Sequence, residues 1–192
     1  YTLYREQLLP ALAAEGIHII DYSDLNDEQM AAADDYFHRM VFPVLTPLAT
    51  DTGRPFPHIS NLSLSLAVLI EDGEERFARV KVPDTLCQLV ELPSIRKRRG
   101  PAIHTFVWLE QMIAANLQYL FPDLQVVDAH PFHITRDAEV AIQEIESDDL
   151  LETIEEAVSS RRFRDVVRLQ VEARTPERVI EILTSNLEIG RE

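Results

Sequence analysis

From Leu62 to Val82 the sequence reads LSLSLAVLIEDGEERFARVKV, and no stretch constrains the fold more. Leu62, Leu64, Leu66 and Val68 alternate with Ser63, Ser65 and Ala67, so a strand there carries a large apolar face and a small-residue face. Asp72-Gly73 supplies a hairpin turn. The return strand, 75–82, sets Ala78, Val80 and Val82 against Phe77, Arg79 and Lys81. Just upstream stand Pro43, Pro47, Pro55 and Pro57. Proline lacks an amide hydrogen and holds φ near −65°, so the stretch around Pro43 and Pro47 is neither an interior strand nor an interior helix. It reads as a rigid crossover onto the sheet, with Asp51-Thr52-Gly53 as a turn and Phe56 as an apolar anchor.

Other elements follow from periodicity. Leu3, Leu8, Leu9 and Leu12 are spaced for a helix over 2–15 with Gly16 as its stop, although Pro10 opposes it. Residues 17–20 read as a strand. Asn26 and Gln29 form a capping box for a helix to about Met40. Strands are expected at 86–92 and 103–107, and an amphipathic helix from Trp108 to Phe121. Residues 124–136 are extended, broken or bulged at Pro131. A helix at about 149–161 precedes a strand over 165–173. Thr175 and Pro176 read as N-cap and first residue of a helix to about Leu187. Hairpin strands with helices inserted between them predict an α+β fold: a mixed, largely antiparallel sheet with packed helices.

The 192 residues suffice for one domain, or one domain with a fragment of another. A lone cysteine, Cys87, excludes an intrachain disulfide and a cysteine-rich zinc site. Without an initiator methionine, the chain reads as a piece of a longer protein. The net charge of −15 disfavours nonspecific contact with nucleic acid. Phosphate-cradling glycine motifs and a nucleophile elbow are missing from the sequence. His130 and His133 fall on opposite faces of an extended segment, which does not suit one metal ion. The acids Asp137, Glu139, Glu144, Glu146, Asp148 and Asp149, with Glu152, Glu155 and Glu156, lack EF-hand spacing and read as a solvated helix start. Two basic clusters stand against the acidic background: Arg96-Lys97-Arg98-Arg99, and Arg161-Arg162-Phe163-Arg164 with Arg168. Either could hold phosphates, and the first, a loop without a helix dipole to explain it, is the better candidate. The Ser63/Ser65/Ala67 face and the hairpin edge near Asp72-Gly73 are candidate assembly surfaces.

The same segments carry a family resemblance. VFPVLTPLATD…PFPHISNLSLSLAV (41–68) resembles the start of the head domain of the long-chain polyphosphate kinases. RFARVKVP (76–83), AANLQYLFPD (114–123), HPFHITRDAE (130–139), DDLLETIEEAVSSRRF (148–163) and VVRLQVEA (166–173) are similar to further family motifs in order. The resemblance implies a middle domain at 16–192, with 1–15 the last helix of a preceding helical domain. It implies a parent enzyme that uses Mg²⁺ and ATP and transfers the terminal phosphate of ATP reversibly to inorganic polyphosphate. The phosphorylated histidine lies in later, C-terminal catalytic domains, outside this sequence. The resemblance further implies a cytoplasmic enzyme, with membrane association belonging to the parent protein, and a homo-oligomer whose head domain shapes the active-site tunnel. By that reading the span has no catalytic residue and no metal ligand, and binds neither cofactor itself. Arg136 matches the family's ITRD pattern, and with Arg96, Lys97, Arg98 and Arg99 it is a candidate contact for polyphosphate. His133 stands where the family usually has arginine, so no role is carried over to it.

Overall fold

A computed structural model of the chain describes residues 2–50, 56–93, 103–137 and 165–190. The hairpin forms as its pattern requires. Strands β3 (Leu64–Glu71) and β4 (Glu75–Lys81) pair antiparallel, from Ser65 opposite Lys81 to Glu71 opposite Glu75. Gly73 takes a φ of 74° in the turn, a conformation that glycine adopts without strain. The hairpin sits inside a five-stranded antiparallel sheet ordered β2-β4-β3-β7-β8, completed by β2 (Pro47–Ala49), β7 (Gln125–Arg136) and β8 (Val166–Val171). A second sheet places β6 (His104–Trp108) between β1 (Ile17–Ile19), which runs parallel to it, and β5 (Leu89–Leu92), which runs antiparallel. The class is the expected α+β, with its strands divided between two sheets.

Alternation in the hairpin builds two cores on opposite faces of the larger sheet. Leu66, Val68, Ile70, Ala78, Val80 and Val82 face one core. There they meet Phe37 and Val41, and Met112 and Ile113 of α3 (Leu109–Ala115). Ala67, Leu69 and Phe77 face the other core with Phe132 and Ile134. The cover on that side is α4 (Glu177–Leu187), which lays Val179, Leu183 and Leu187 along one stripe. The small-residue face is therefore used inside the chain. Ser63, Ser65 and Ala67 are all buried, so this face is not a surface for assembly as the sequence suggested. The hairpin tip, 71–76, is exposed.

The prolines are accommodated by local widening. Helical backbone runs through Pro10 because residues Tyr4–Leu8 form a π turn, with the Leu9 amide bonding back to the Tyr4 carbonyl, ahead of α1 (Leu9–Ala14). The same device recurs after α2 (Asp27–Tyr36). Residues Phe37–Val41 form a π turn, the Phe42 amide bonds to the Phe37 carbonyl, and Pro43 enters a 3₁₀ turn. In each case the proline follows the π turn by two residues. The wider turn relieves the demand for the missing amide and the clash with the carbonyl one turn back. Pro47 opens β2, an edge strand, where a missing amide costs no ladder bond.

Several local expectations shift. The capping box is present, Asn26 and Gln29 each accepting the other's backbone amide at 2.9 and 3.1 Å. The helix expected from Trp108 to Phe121 ends at Ala115 and resumes as a 3₁₀ turn at Leu117–Tyr119. Asn116 interrupts it, donating from its side chain to the Met112 carbonyl and the Tyr22 hydroxyl. β7 passes Pro131 unbroken, because Leu62 N–H donates to the Ile134 carbonyl and so turns the even residues there toward β3. Pro131 thus faces the other side, one residue beyond the Phe132–Val171 pair that ends the ladder to β8. The bulge lies instead at Val127, between the Ile70–Val126 and Leu69–Asp128 pairs. A second bulge at Val167 turns that side chain out to 60% exposure and lets Val166 take the inward place. Pro176, expected as the first helical residue, is the N-cap of α4, and Thr175 Oγ1 is buried without a partner. The helix read at 149–161 lies outside the described residues.

Candidate functional site

The segment between the prolines and the hairpin, His58–Leu62, is a turn gripped by two arginines. Arg79 of β4 donates through Nη1 to the His58 carbonyl at 3.1 Å and through Nε to Ser65 Oγ at 3.1 Å. Arg136, the last residue of β7, donates through Nε and Nη2 to the Ile59 carbonyl at 3.1 and 3.0 Å. Its backbone amide donates to Asn61 Oδ1 at 2.8 Å. Ser63 closes the turn, its amide and hydroxyl both donating to the Ser60 carbonyl. Ile59 is fully buried in the second core. Leu62, expected as the first apolar residue of the strand, instead takes a left-handed φ of 57° and is 63% exposed.

The two arginines differ electrostatically. Arg79 is 5% exposed, and its Nη2 is buried without a hydrogen-bond partner. Burial lowers its proton affinity below the usual guanidinium range. The alternation set Arg79 with Phe77 and Lys81 on the face away from Ala78, Val80 and Val82, and the structure buries Phe77 and Arg79 on that face too. The bond from Arg79 to Ser65, diagonally across the strand pair, was the missed signal, because Ala67 directly opposite and a small polar residue two positions along leave room for a guanidinium. Arg136 is shifted down by burial too, with Asp165 opposing the shift. Its fork is committed to a backbone carbonyl, which makes it first a brace of the turn.

The other site residues read from the sequence are dispersed. Arg96, Lys97, Arg98 and Arg99 lie outside the described residues, as do Arg161–Arg164 and the acids from Glu139 onward. Arg168 is exposed on β8, opposite Thr135. His130 lies opposite Ala67 and His133 opposite Leu64, residues that belong to opposite cores, so the two imidazoles do not converge. His130 is buried, with Asp128 Oδ1 at 2.8 Å from its Nε2 but not aligned as a hydrogen bond. Among the described residues no group of three or more His, Cys, Asp or Glu is placed to hold a metal ion. No helix among them is long and apolar enough to cross a membrane.

A polar network not foreseen from the sequence ties the first core together. Tyr22 donates its hydroxyl to Asp34 at 2.8 Å and accepts from Asn116 at 3.2 Å. Gln111 accepts the Tyr22 amide at 2.9 Å and donates to Asp21 at 2.9 Å. Burial, with the bond to Asp34, pushes the Tyr22 phenol up to about 12. These partners are 89 or more residues apart in sequence wherever α3 is involved, so short-range spacing could not reveal them.

Comparison with known proteins places this architecture. The family model described as the polyphosphate kinase middle domain matches residues 28–192. Polyphosphate kinase 1 of Chlorobaculum tepidum is 46% identical over 186 residues, covering 95% of this chain and 27% of that protein. Polyphosphate kinase of Mycobacterium ulcerans is 43% identical over 192 residues, covering 97% of this chain and 26% of that one. The crystal structure of polyphosphate kinase from Porphyromonas gingivalis matches with a TM-score of 0.75 at 25% identity, covering 99% of this chain and 26% of that chain. The chain spans about a quarter of the length of these relatives. Sequence motifs, fold and coverage agree: the chain belongs to the polyphosphate kinase family, as its middle domain.

Proposed function

We propose that residues 16–192 are a non-catalytic head domain of a polyphosphate kinase, and that residues 1–15 end the helical domain before it. The match of the family's middle-domain model to 28–192, over a quarter of the relatives' length, carries this reading. The parent protein then transfers the terminal phosphate of ATP reversibly to polyphosphate with Mg²⁺, through a phosphohistidine in its C-terminal catalytic domains. The head domain shapes the tunnel for the polyanion and contributes to a homo-oligomer, for which the exposed hairpin tip is the remaining candidate surface. Leu3 and Leu8, exposed at 59% and 49% on the first helix, support its belonging with apolar partners outside this span. A cytoplasmic setting accords with the single exposed cysteine. The isolated chain should show no ATP–polyphosphate phosphotransfer, while the longer protein shows it. Turnover by the isolated chain sinks the proposal.

A second reading has direct support in charge. The run Arg96-Lys97-Arg98-Arg99 stands out in a chain of net charge −15, and such a run can grip a polyanion. Arg136 is included as a weaker contact, because its fork already serves the Ile59 carbonyl. Replacing the four loop residues by alanine in the full-length enzyme should raise the KM for polyphosphate and flatten its salt dependence. An unchanged KM removes the loop from the substrate path.

A further inference from the structure

A groove of about 1270 Å³ plays no part in the turn described above. It lies between the first helical segment, the connection 19–24 after β1, the start of α3 and the end of β8. Its lining is partly apolar, through Leu9, Ile19, Trp108, Ala114 and Val171. Its charged residues are Asp21, Asp24, Glu110, Glu172, Arg5 and Arg174, so carboxylates outnumber cations. Most are engaged: Asp21 accepts from Gln111, and Arg174 donates to Glu172 at 2.7 Å. Glu110 Oε2, by contrast, is buried without a donor. Burial chiefly, and Glu172 in addition, push its carboxyl above the usual range. A buried carboxylate oxygen without a donor is unfavourable, and an apolar groove beside it is equally incomplete in water.

We propose that the groove is an interdomain docking site, and that its occupant is a lysine or arginine side chain carried on a segment of the parent polypeptide outside residues 1–192. Charge complementarity selects a cation, and the apolar lining takes the stem of a long basic side chain. Roughly three quarters of the relatives' length lies outside the span matched here. A tethered segment reaches the groove at high effective concentration and does not need the interface area of a free partner. The inference rests on the chain being part of a longer polypeptide, and not on any contact with polyphosphate.

The test uses the full-length protein with Glu110→Gln, which keeps shape and removes charge. With a cation seated on Glu110, E110Q lowers the thermal midpoint and speeds amide exchange in 19–24 and 108–115. The loss is the same at every protein concentration. With no cation there, removing an unpaired buried carboxylate raises the midpoint or leaves it unchanged, and the proposal fails. A loss that grows on dilution identifies a second copy as the occupant and overturns the assignment to the same polypeptide.

Discussion

Leu62 offers a direct measure of strain in the turn. Its φ of 57° places an L-residue in the left-handed region, while its side chain is 63% exposed. That backbone conformation costs an ordinary L-residue about 1–2 kcal/mol relative to the right-handed one. Asparagine tolerates it better, and isoleucine, branched at Cβ, tolerates it worse. Burial is the opposing effect. About a third of the leucine is covered, which is worth roughly 0.5–1 kcal/mol of the 1.5–3 kcal/mol for full burial. Leu62→Asn relieves most of the strain and forfeits that cover, for a net gain of about 0.5 kcal/mol. Leu62→Ile keeps the cover and adds strain, for a loss of about 1 kcal/mol. The two variants should therefore differ by about 1.5 kcal/mol, or roughly 3–6 °C in midpoint for a chain of this size. The Leu62 amide, bonded to the Ile134 carbonyl at 3.1 Å, is unchanged in both. Reversible urea unfolding reads the difference. If Leu62→Ile equals the parent and Leu62→Asn loses 1 kcal/mol or more, the side chain and not the backbone governs this position, and the strain argument is wrong.

Arg136→Met should destabilise by about 1–2 kcal/mol, since it removes two charge-assisted bonds to the Ile59 carbonyl at the partly exposed end of β7. Arg136→Lys, able to restore one bond, should fall between; equal exchange of the Leu62 and Ser63 amides in all three proteins would show that the clamp is idle. Tyr22→Phe should cost about 1 kcal/mol at neutral pH through loss of the bonds to Asp34 and Asn116. Tyr22 is an acid whose folded pKa is raised from 10 to about 12, so its contribution is intact below pH 10 and lost as pH climbs from 10 to 12. Stability against pH should thus fall less steeply in Tyr22→Phe across that window, and parallel curves would refute the assignment. Asn26→Ala removes the side-chain half of the capping box and should lower stability by about 1 kcal/mol, read as a shift in urea midpoint.

Period-two alternation, turn chemistry and capping signals are local, and the hairpin, Gly73, Gly16 and the Asn26 capping box were all legible before any coordinates. So was the family, because its motifs recur in order along one chain. The separation of His130 from His133 was legible too, since three residues on a strand always reverse the face. Other features depended on partners distant in sequence. Whether Ala67 faced water or a helix depended on α4, which lies more than a hundred residues downstream and shares its core. The places where β7 and β8 bulge were set by neighbouring strands, so Val127 and Val167 turned outward against the alternation. The sequence set Arg79 on a strand face and offered Arg136 as a polyphosphate contact, yet one is buried behind Ser65 and the other braces a turn from a strand end. Hydrophobic period is a property of neighbours along the chain, whereas burial, register and the pairing of a charge are properties of neighbours in space, and only the packed sheet brings those together.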